Sequence, residues 1–150
     1  SGILNSAGYI GIDTYNNGEI QVYNPGDIET GFRMYIPASV LTTDTIITYI
    51  EVLNQKTATL YLKTVDMKDD DVGVLVDTNN NLIIGVSSAP VGPHPNTGQY
   101  TYTTSGNIYN EIVKTGYFFK IQPTVRNSVD LIQFEGGGEG IQIFYDYLYF

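Results

Sequence analysis

The strongest constraint on this chain is a period-two alternation of apolar and polar residues within short segments. Phe32, Met34 and Ile36 are apolar and alternate with Arg33 and Tyr35. Because successive side chains of a β-strand point to opposite faces, this alternation predicts a strand with one buried and one solvent-facing side. About eleven strand-like segments follow one another at intervals of roughly 8–15 residues. The other clearly alternating segments are 60–63 and 117–122.

Turn-forming residues separate these segments, as in a β-sandwich or barrel rather than in alternating βα units. The sequence DTNNN at 77–81 predicts a hairpin between the β-branched segments 72–76 and 82–86. The stretch 87–98 contains prolines and glycines and predicts a long surface connection, which a Greek-key topology requires. We therefore predict one all-β domain over residues 1–150, a two-sheet antiparallel β-sandwich of jelly-roll type.

Two further segments carry a weaker pattern. The run 46–53 is rich in β-branched residues and predicts a strand covered on both faces. The segment 105–116 fits a short helix, because Ile108 and Ile112 are four residues apart and Gly116 follows, but it fits another strand equally well.

Charge excludes some partners. The chain has a formal net charge of -9 and only seven Lys and Arg residues, so a nucleic acid backbone would meet mostly like charge. No segment approaches the ~18 consecutive apolar residues of a membrane span, so we expect no membrane insertion. Charged residues make up 15% of the chain, against a usual share of about 25%. A neutral polar surface of this kind indicates an extracellular, secreted or virion protein.

Residues for catalysis are scarce. The chain has no cysteine, and its one histidine, His94, lies between two prolines, where we expect a solvent-facing loop residue. Nucleophilic triads need a histidine oriented by a carboxylate on a rigid scaffold. A glycosidase needs only two acids, and Glu51, Glu111 and Asp130 are candidates, but the alternation explains them equally well as solvent-facing strand residues. We therefore expect a protein that is not an enzyme.

Side chains with oxygen ligands at 77–81 have the opening spacing of a calcium loop. Asp77, Asn79 and Asn81 alternate correctly, but the sixth position is not glycine and the twelfth is Ser88 instead of glutamate. This pattern excludes an EF-hand and favours a plain hairpin turn.

Tyrosine is the distinctive residue of the chain, with 13 tyrosines, 6 phenylalanines and no tryptophan. Tyrosine rings suit stacking on sugars or a subunit contact, while threonine, asparagine and glutamine supply hydrogen bonds. The C-terminal strand over 141–150 carries alternating tyrosines that fit an exposed ladder or a strand buried on both sides. We predict a neutral polysaccharide or cell-surface glycan as the ligand. The predicted contacts are Tyr100, Tyr102, Tyr61 and Tyr109.

Two segments, NPGDIETG at 24–31 and GIQIFYDYLYF at 140–150, together resemble bacterial jelly-roll carbohydrate-binding modules. In that family, an acid of the opening segment and an aspartate of the closing strand help to hold a structural calcium. The resemblance therefore implies a non-catalytic sugar binder with calcium at Glu29 and Asp146. The chain lacks the tryptophan that the family usually places in its binding face.

The polar, tyrosine-rich and asparagine-rich composition also resembles the small β-sandwich domains of phage tail spikes and tail fibres. This second resemblance implies a structural or receptor-binding subunit of a viral fibre, capsid or adhesin that assembles as a homo-oligomer. The two resemblances share a mechanism of ring stacking and hydrogen bonding, and they differ in assembly.

Overall fold

The computed structural model describes residues 3–4, 13–14, 18–64, 67, 70–92, 94–96, 100–107, 112–116, 118–124, 128–136, 140–145 and 148–149. The regular elements of this part of the chain are strands, together with one short 3-10 helix at Val40–Thr42. The strands are β1 (Ile3–Leu4), β2 (Asp13–Thr14), β3 (Glu19–Val22), β4 (Arg33–Pro37), β5 (Thr45–Glu51), β6 (Lys56–Leu62), β7 (Gly73–Asp77), β8 (Leu82–Val91), β9 (Thr101–Asn107), β10 (Val113–Gly116), β11 (Asp130–Glu135), β12 (Gln142–Phe144) and β13 (Leu148–Tyr149).

Two antiparallel sheets form the sandwich. One has six strands in the order β2-β12-β4-β7-β8-β9, the other has five in the order β10-β6-β5-β11-β3, and β1 pairs with β13 separately. Within them, β2-β12-β4-β7 and β3-β11-β5-β6 have the strand order of an eight-stranded jelly roll. The strands β8, β9 and β10 extend the two sheets beyond this framework. The predicted two-sheet antiparallel sandwich of jelly-roll type is confirmed.

The main core lies between the two sheets, and the period-two alternation determines which residues enter it. Met34 and Ile36 of β4 and Leu60 and Leu62 of β6 are at most 2% exposed and pack in one cluster. The alternation predicted at 32–36 and 60–63 is therefore confirmed on the buried side.

Residues 118–122 have a buried and exposed pattern like the predicted one without the predicted strand, whereas Tyr117 lies outside the described residues. Phe119 and Ile121 are buried and Lys120 is exposed, but the backbone of Ile121 makes only an isolated bridge with Thr30. The next backbone N–H, that of Gln122, donates to a side-chain hydroxyl rather than to a neighbouring strand. Sheet pairing therefore does not continue along this segment.

The hairpin at 77–81 is confirmed. It joins β7 to β8, Asn81 has a φ of 55°, and Asp77 Oδ1 accepts hydrogen bonds from the backbone of Asn79 and Asn80. All five residues of β7 are buried, whereas Val72, which precedes the strand, is 41% exposed.

The run 46–53 is not covered on both faces. The strand β5 ends at Glu51 and alternates between buried and half-buried residues, whereas Val52 and Leu53 are 43% and 66% exposed. The physical reason is the tight turn that follows β5, in which Gln55 has a φ of 55°.

Three other boundaries differ from expectation. The strand β8 continues to Val91, so the predicted connection at 87–98 begins with strand residues that pair with β9. The segment 105–116 ends β9, includes one helical residue at Ile112 and contains β10, while residues 108–111 lie outside the described part of the chain. The single C-terminal strand predicted at 141–150 is wrong, because β12 joins the six-stranded sheet and β13 pairs with β1 instead.

A two-stranded arm extends from the six-stranded sheet. We define the arm as the described residues 87–92 and 100–103, where β8 has passed the end of β7 and pairs only with β9. Four strand spacings separate β9 from β12, about 19 Å within a flat sheet. The ring centroids of Tyr100 and Phe144 are nevertheless 4.9 Å apart. The arm therefore folds back across the outer face of its own sheet.

Candidate functional site

Tyr100 and Tyr102 lie on the arm. Tyr100 is 8% exposed, with its ring packed against Phe144. Tyr102 is half-buried, and its hydroxyl accepts a hydrogen bond of 3.0 Å from Nη1 of Arg33. The arm turns the ring of Tyr100 onto the sheet, so little of this side chain is accessible to solvent. Ligand contact by these two residues stays a prediction.

Tyr61 lies on the opposite side of the molecule, on the outer face of the five-stranded sheet. Its neighbours Leu60 and Leu62 point into the main core, so its half-buried ring points outward. Its hydroxyl donates to Oδ2 of Asp44 at 3.1 Å. Asp44 Oδ1 accepts from the backbone N–H and the hydroxyl of Thr64, at 2.9 and 3.0 Å. These bonds fix Tyr61 at one end of the sheet and separate it from the arm.

The outward side chains of four adjacent strands form one continuous surface around Tyr61, which we call the open face. The alternate residues of these strands, including Ile47, Leu60 and Ile132, are buried in the core. Antiparallel register aligns the outward residues in rows across the sheet. From β6 through β5 and β11 to β3, the rows are Thr57-Ile50-Leu131-Gln21, Thr59-Thr48-Gln133-Glu19 and, on the first three strands, Tyr61-Ile46-Glu135.

The open face combines apolar and neutral hydrogen-bonding groups. Its aliphatic residues Ile46, Ile50 and Leu131 are half-buried, so part of each side chain remains accessible. The hydroxyls of Thr48 and Thr59 lie 3.4 Å apart, and either can act as donor to the other. From strand spacing and rise, the surface extends about 14 Å across the strands and about 14 Å along them.

The charge of the open face is acidic or neutral. Glu19 is half-buried and Glu135 is exposed, and none of the side chains in these rows is basic. Because the whole chain also carries a net charge of -9, this surface repels anionic ligands.

No protein-family model, curated protein or solved structure matches this chain. Three further groups of residues could take part in binding or chemistry.

The first group is the calcium pair implied by the family resemblance. Glu29 is exposed, and its Oε2 accepts a hydrogen bond of 2.9 Å from Nε2 of Gln122. Asp146 lies outside the described residues, as does Tyr109. In the described ranges, no three His, Cys, Asp or Glu side chains come close enough together to hold a metal ion. Of the two predicted calcium ligands, the described residues thus include only the exposed carboxylate of Glu29. The calcium site stays a prediction.

Asn24 organises the loop that carries Glu29. The Asn24 side chain is fully buried, its Oδ1 accepts from Gly26 N at 2.9 Å, and its Nδ2 donates to the carbonyls of Ile28 and Ile121, both at 3.1 Å. The signal in the sequence was the Asn-Pro-Gly turn itself, since an asparagine side chain commonly bonds the backbone two residues later.

The second group comprises the candidate catalytic residues. His94 is exposed, as expected, and its Nδ1 accepts a hydrogen bond from Asn96 N at 3.1 Å. Glu51 is half-buried and accepts from Asn54 Nδ2, while Glu111 lies outside the described residues. The interpretation of Asp130 as a solvent-facing residue is wrong, because its carboxylate is 4% exposed and points inward.

The third group is the buried pair Asp130 and Tyr49, which the sequence did not reveal. Asp130 Oδ2 accepts from the Tyr49 hydroxyl, and Oδ1 accepts from the backbone of Val52 at 3.1 Å. The same hydroxyl accepts from Gln122 N at 3.0 Å. Burial raises the pKa of Tyr49, and the hydrogen bond to Asp130 raises it further. Tyr49 therefore stays protonated and joins three distant segments.

The described residues contain no helix that could span a membrane. None of their helices has the length and apolar character needed to cross a bilayer.

Proposed function

We propose that this protein is a non-catalytic glycan-binding domain whose ligand lies on the open face. The observation that carries the proposal is the composition of that face, where accessible aliphatic side chains and the ring of Tyr61 alternate with threonine and glutamine. Sugar rings present both C–H surfaces and hydroxyls, so they match a surface of this mixed kind. Tyrosine offers contact area at low cost in conformational entropy.

Charge supports a neutral glycan. A carboxylated or sulfated polysaccharide would approach Glu19 and Glu135 without a basic partner in the rows of the open face. Hydroxyl and amide groups bond sugar hydroxyls without paying the desolvation cost of a charged group. We also propose an extracellular, secreted or virion location, which the low share of charged residues supports.

Affinity electrophoresis through gels that contain neutral or anionic polysaccharides tests this function. We expect retardation in at least one neutral gel and none in the anionic gels. The double variant Thr59→Ala/Gln133→Ala should lose the retardation, because both exposed side chains lie in the central row of the open face. The matched control is Thr101→Ala/Thr103→Ala, which alters two exposed residues of β9 on the other sheet.

Two results would contradict the proposal. One is the absence of retention on every polysaccharide, and the other is equal binding by the open-face variant and its control. Tyr102→Ala reports separately on the predicted contact at the arm, since that residue lies on the opposite side of the molecule from Tyr61.

A structural calcium at Glu29 and Asp146 is part of the same proposal. Carboxylate oxygens are ligands that calcium prefers, and Glu29 is accessible at the edge of a loop fixed by Asn24. The ion would hold the loop against the C-terminal segment and take no part in chemistry.

A subunit of a viral fibre, capsid or adhesin is the second candidate. The arm favours it, because an element that folds over the body by a few contacts is suited to assembly. Sedimentation separates the candidates, since a stable trimer or polymer favours a fibre or capsid subunit and a monomer favours a binding module.

A further inference from the structure

The arm buries a second apolar cluster on the outer face of the six-stranded sheet. This cluster consists of Tyr35, Leu75, Val86, Tyr100 and Phe144, and it is separate from the main core between the sheets. The outer face of an antiparallel sheet is commonly solvated. Here Leu75 and Phe144 are each 1% exposed, so the face is covered.

The arm and the body meet through few described contacts. Tyr100 packs on Phe144 at 4.9 Å between ring centroids, with the rings inclined by 38°. Tyr102 packs at the edge of the cluster and accepts its hydrogen bond from Arg33 of β4. Both tyrosines come from the arm, and both partners come from the body.

A pair of glycines lies at the base of the arm. Gly85 of β8 and Gly106 of β9 are directly paired, and the register shifts just beyond them, between Gly85 and Val86. Register shifts of this kind bend and twist a strand. Gly106 has a φ of 151°, which L-residues rarely adopt, although no heavy atom lies within 4 Å of the position of a Cβ there. Position 106 thus depends on glycine for its backbone conformation and not for space, whereas a Cβ at Gly85 would lie 2.6 Å from both Asp71 Oδ2 and Ser105 Oγ.

We propose that the arm is exchangeable, so that two copies of this chain form a reciprocal dimer in which each arm covers the other copy's outer face. The partner's arm carries the same Tyr100 and Tyr102, so it makes the same contacts with Phe144 and Arg33. Only the bend at Gly85 and Gly106 differs between the closed monomer and the dimer. Exchange of an identical element is a low-cost route to a closed two-fold dimer.

Arm exchange does not depend on glycan binding, because the open face belongs to the other sheet. It adds a consequence for that function. A dimer presents two open faces at once, and linked binding sites gain avidity without any new contact.

Site-specific cross-linking tests the exchange, and the absence of native cysteine makes the introduced thiols unique. Two single variants, Arg33→Cys and Tyr102→Cys, are mixed, unfolded, refolded together at high concentration and treated with a short bismaleimide. We expect a cross-link between the two different chains. The matched control mixes Arg33→Cys with Thr57→Cys, whose cysteine lies on the open face, and should give no cross-link.

The hinge provides an independent variant. Gly106→Val disfavours the backbone conformation of the closed arm, while its Cβ would meet no heavy atom within 4 Å, so we expect the dimer dissociation constant to fall by roughly tenfold or more. Thr104→Val is the control, because this exposed β9 residue gains no backbone strain. Light scattering after size exclusion measures both.

Exchange is supported by the cross-link between mixed chains together with a higher dimer fraction for Gly106→Val. It is overturned by a protein that stays monomeric at all concentrations and gives no cross-link in the mixture. A dimer that forms without the Arg33→Cys to Tyr102→Cys cross-link also overturns it, because another surface then makes the contact.

Discussion

Replacing Tyr49 with phenylalanine removes one oxygen atom that serves two partners. The hydroxyl donates to the buried carboxylate of Asp130 and accepts from the backbone of Gln122. The ring itself should stay in place, because it stacks on Phe119 with centroids 5.4 Å apart and planes inclined by 12°. The substitution therefore isolates the polar contribution of the hydroxyl.

The expected loss in the free energy of unfolding depends on which hydrogen bonds Asp130 and Gln122 keep after the substitution. A hydrogen bond to a charged group contributes about 1.5–3 kcal/mol, and Asp130 would keep its other bond, from Val52 N. Gln122 is only half-buried, so water can replace part of its lost bond. We expect the free energy of unfolding to fall by about 2–4 kcal/mol at pH 7, which corresponds to roughly 4–16 °C in Tm for a domain of this size.

The pH dependence has a definite sign. The pKa of Tyr49 in the folded protein is raised above its ordinary value of 10.0, so the fold favours the protonated hydroxyl. This stabilisation is complete below pH 10 and is lost as the pH rises further, by at most about 1.4 kcal/mol per pH unit for one proton. Tyr49→Phe should therefore unfold with a shallower dependence on alkaline pH than the wild type.

Urea unfolding between pH 7 and 11, followed by circular dichroism, measures both effects. Tyr23→Phe is the matched control, since it removes the same atom from a side chain that is 37% exposed, and it should change stability by less than about 0.5 kcal/mol. Suppose that Tyr49→Phe is as stable as Tyr23→Phe and that its free energy of unfolding falls with alkaline pH as steeply as that of the wild type. The Tyr49 hydroxyl then does not stabilise the fold.

Three other predictions concern the loops and the metal. Asn24→Ala removes the bonds to three backbone groups, so we expect urea unfolding to report a loss of about 2–4 kcal/mol, and a loss below about 1 kcal/mol would contradict its role. Gly136→Ala should lower Tm more than Gly106→Ala, because its Cβ would lie 2.2 Å from the carbonyl oxygen of Asp44, and equal melting curves would count against this clash. If Glu29 and Asp146 hold calcium, a chelator should lower Tm by several degrees in the wild type but not in Glu29→Gln. An unchanged wild-type Tm would remove the metal from the proposal.

Local pattern was enough to predict the sandwich. The alternation around Met34 and Leu60 selects the face that each strand buries, since side-chain direction in a strand follows from backbone geometry alone. The turn at 77–81 was equally readable, because asparagine and aspartate tolerate positive φ and bond their own backbone. Both signals lie within a few residues, so no long-range contact is needed to interpret them.

Which outward-facing side chains remain accessible depends on contacts between segments that are far apart in the chain. Tyr61 and Tyr100 are both tyrosines of strand-like segments, yet Tyr61 lies on the open face whereas the arm packs the ring of Tyr100 against Phe144. Asp130 likewise has the sequence environment of a surface residue, but its partner Tyr49 lies 81 residues away in the chain. Alternation specifies the direction of a side chain, whereas burial depends on which distant element covers it. The proposed binding site therefore consists of the rows of threonine, glutamine and isoleucine around Tyr61. Ligand contact by the tyrosines of the arm stays a prediction.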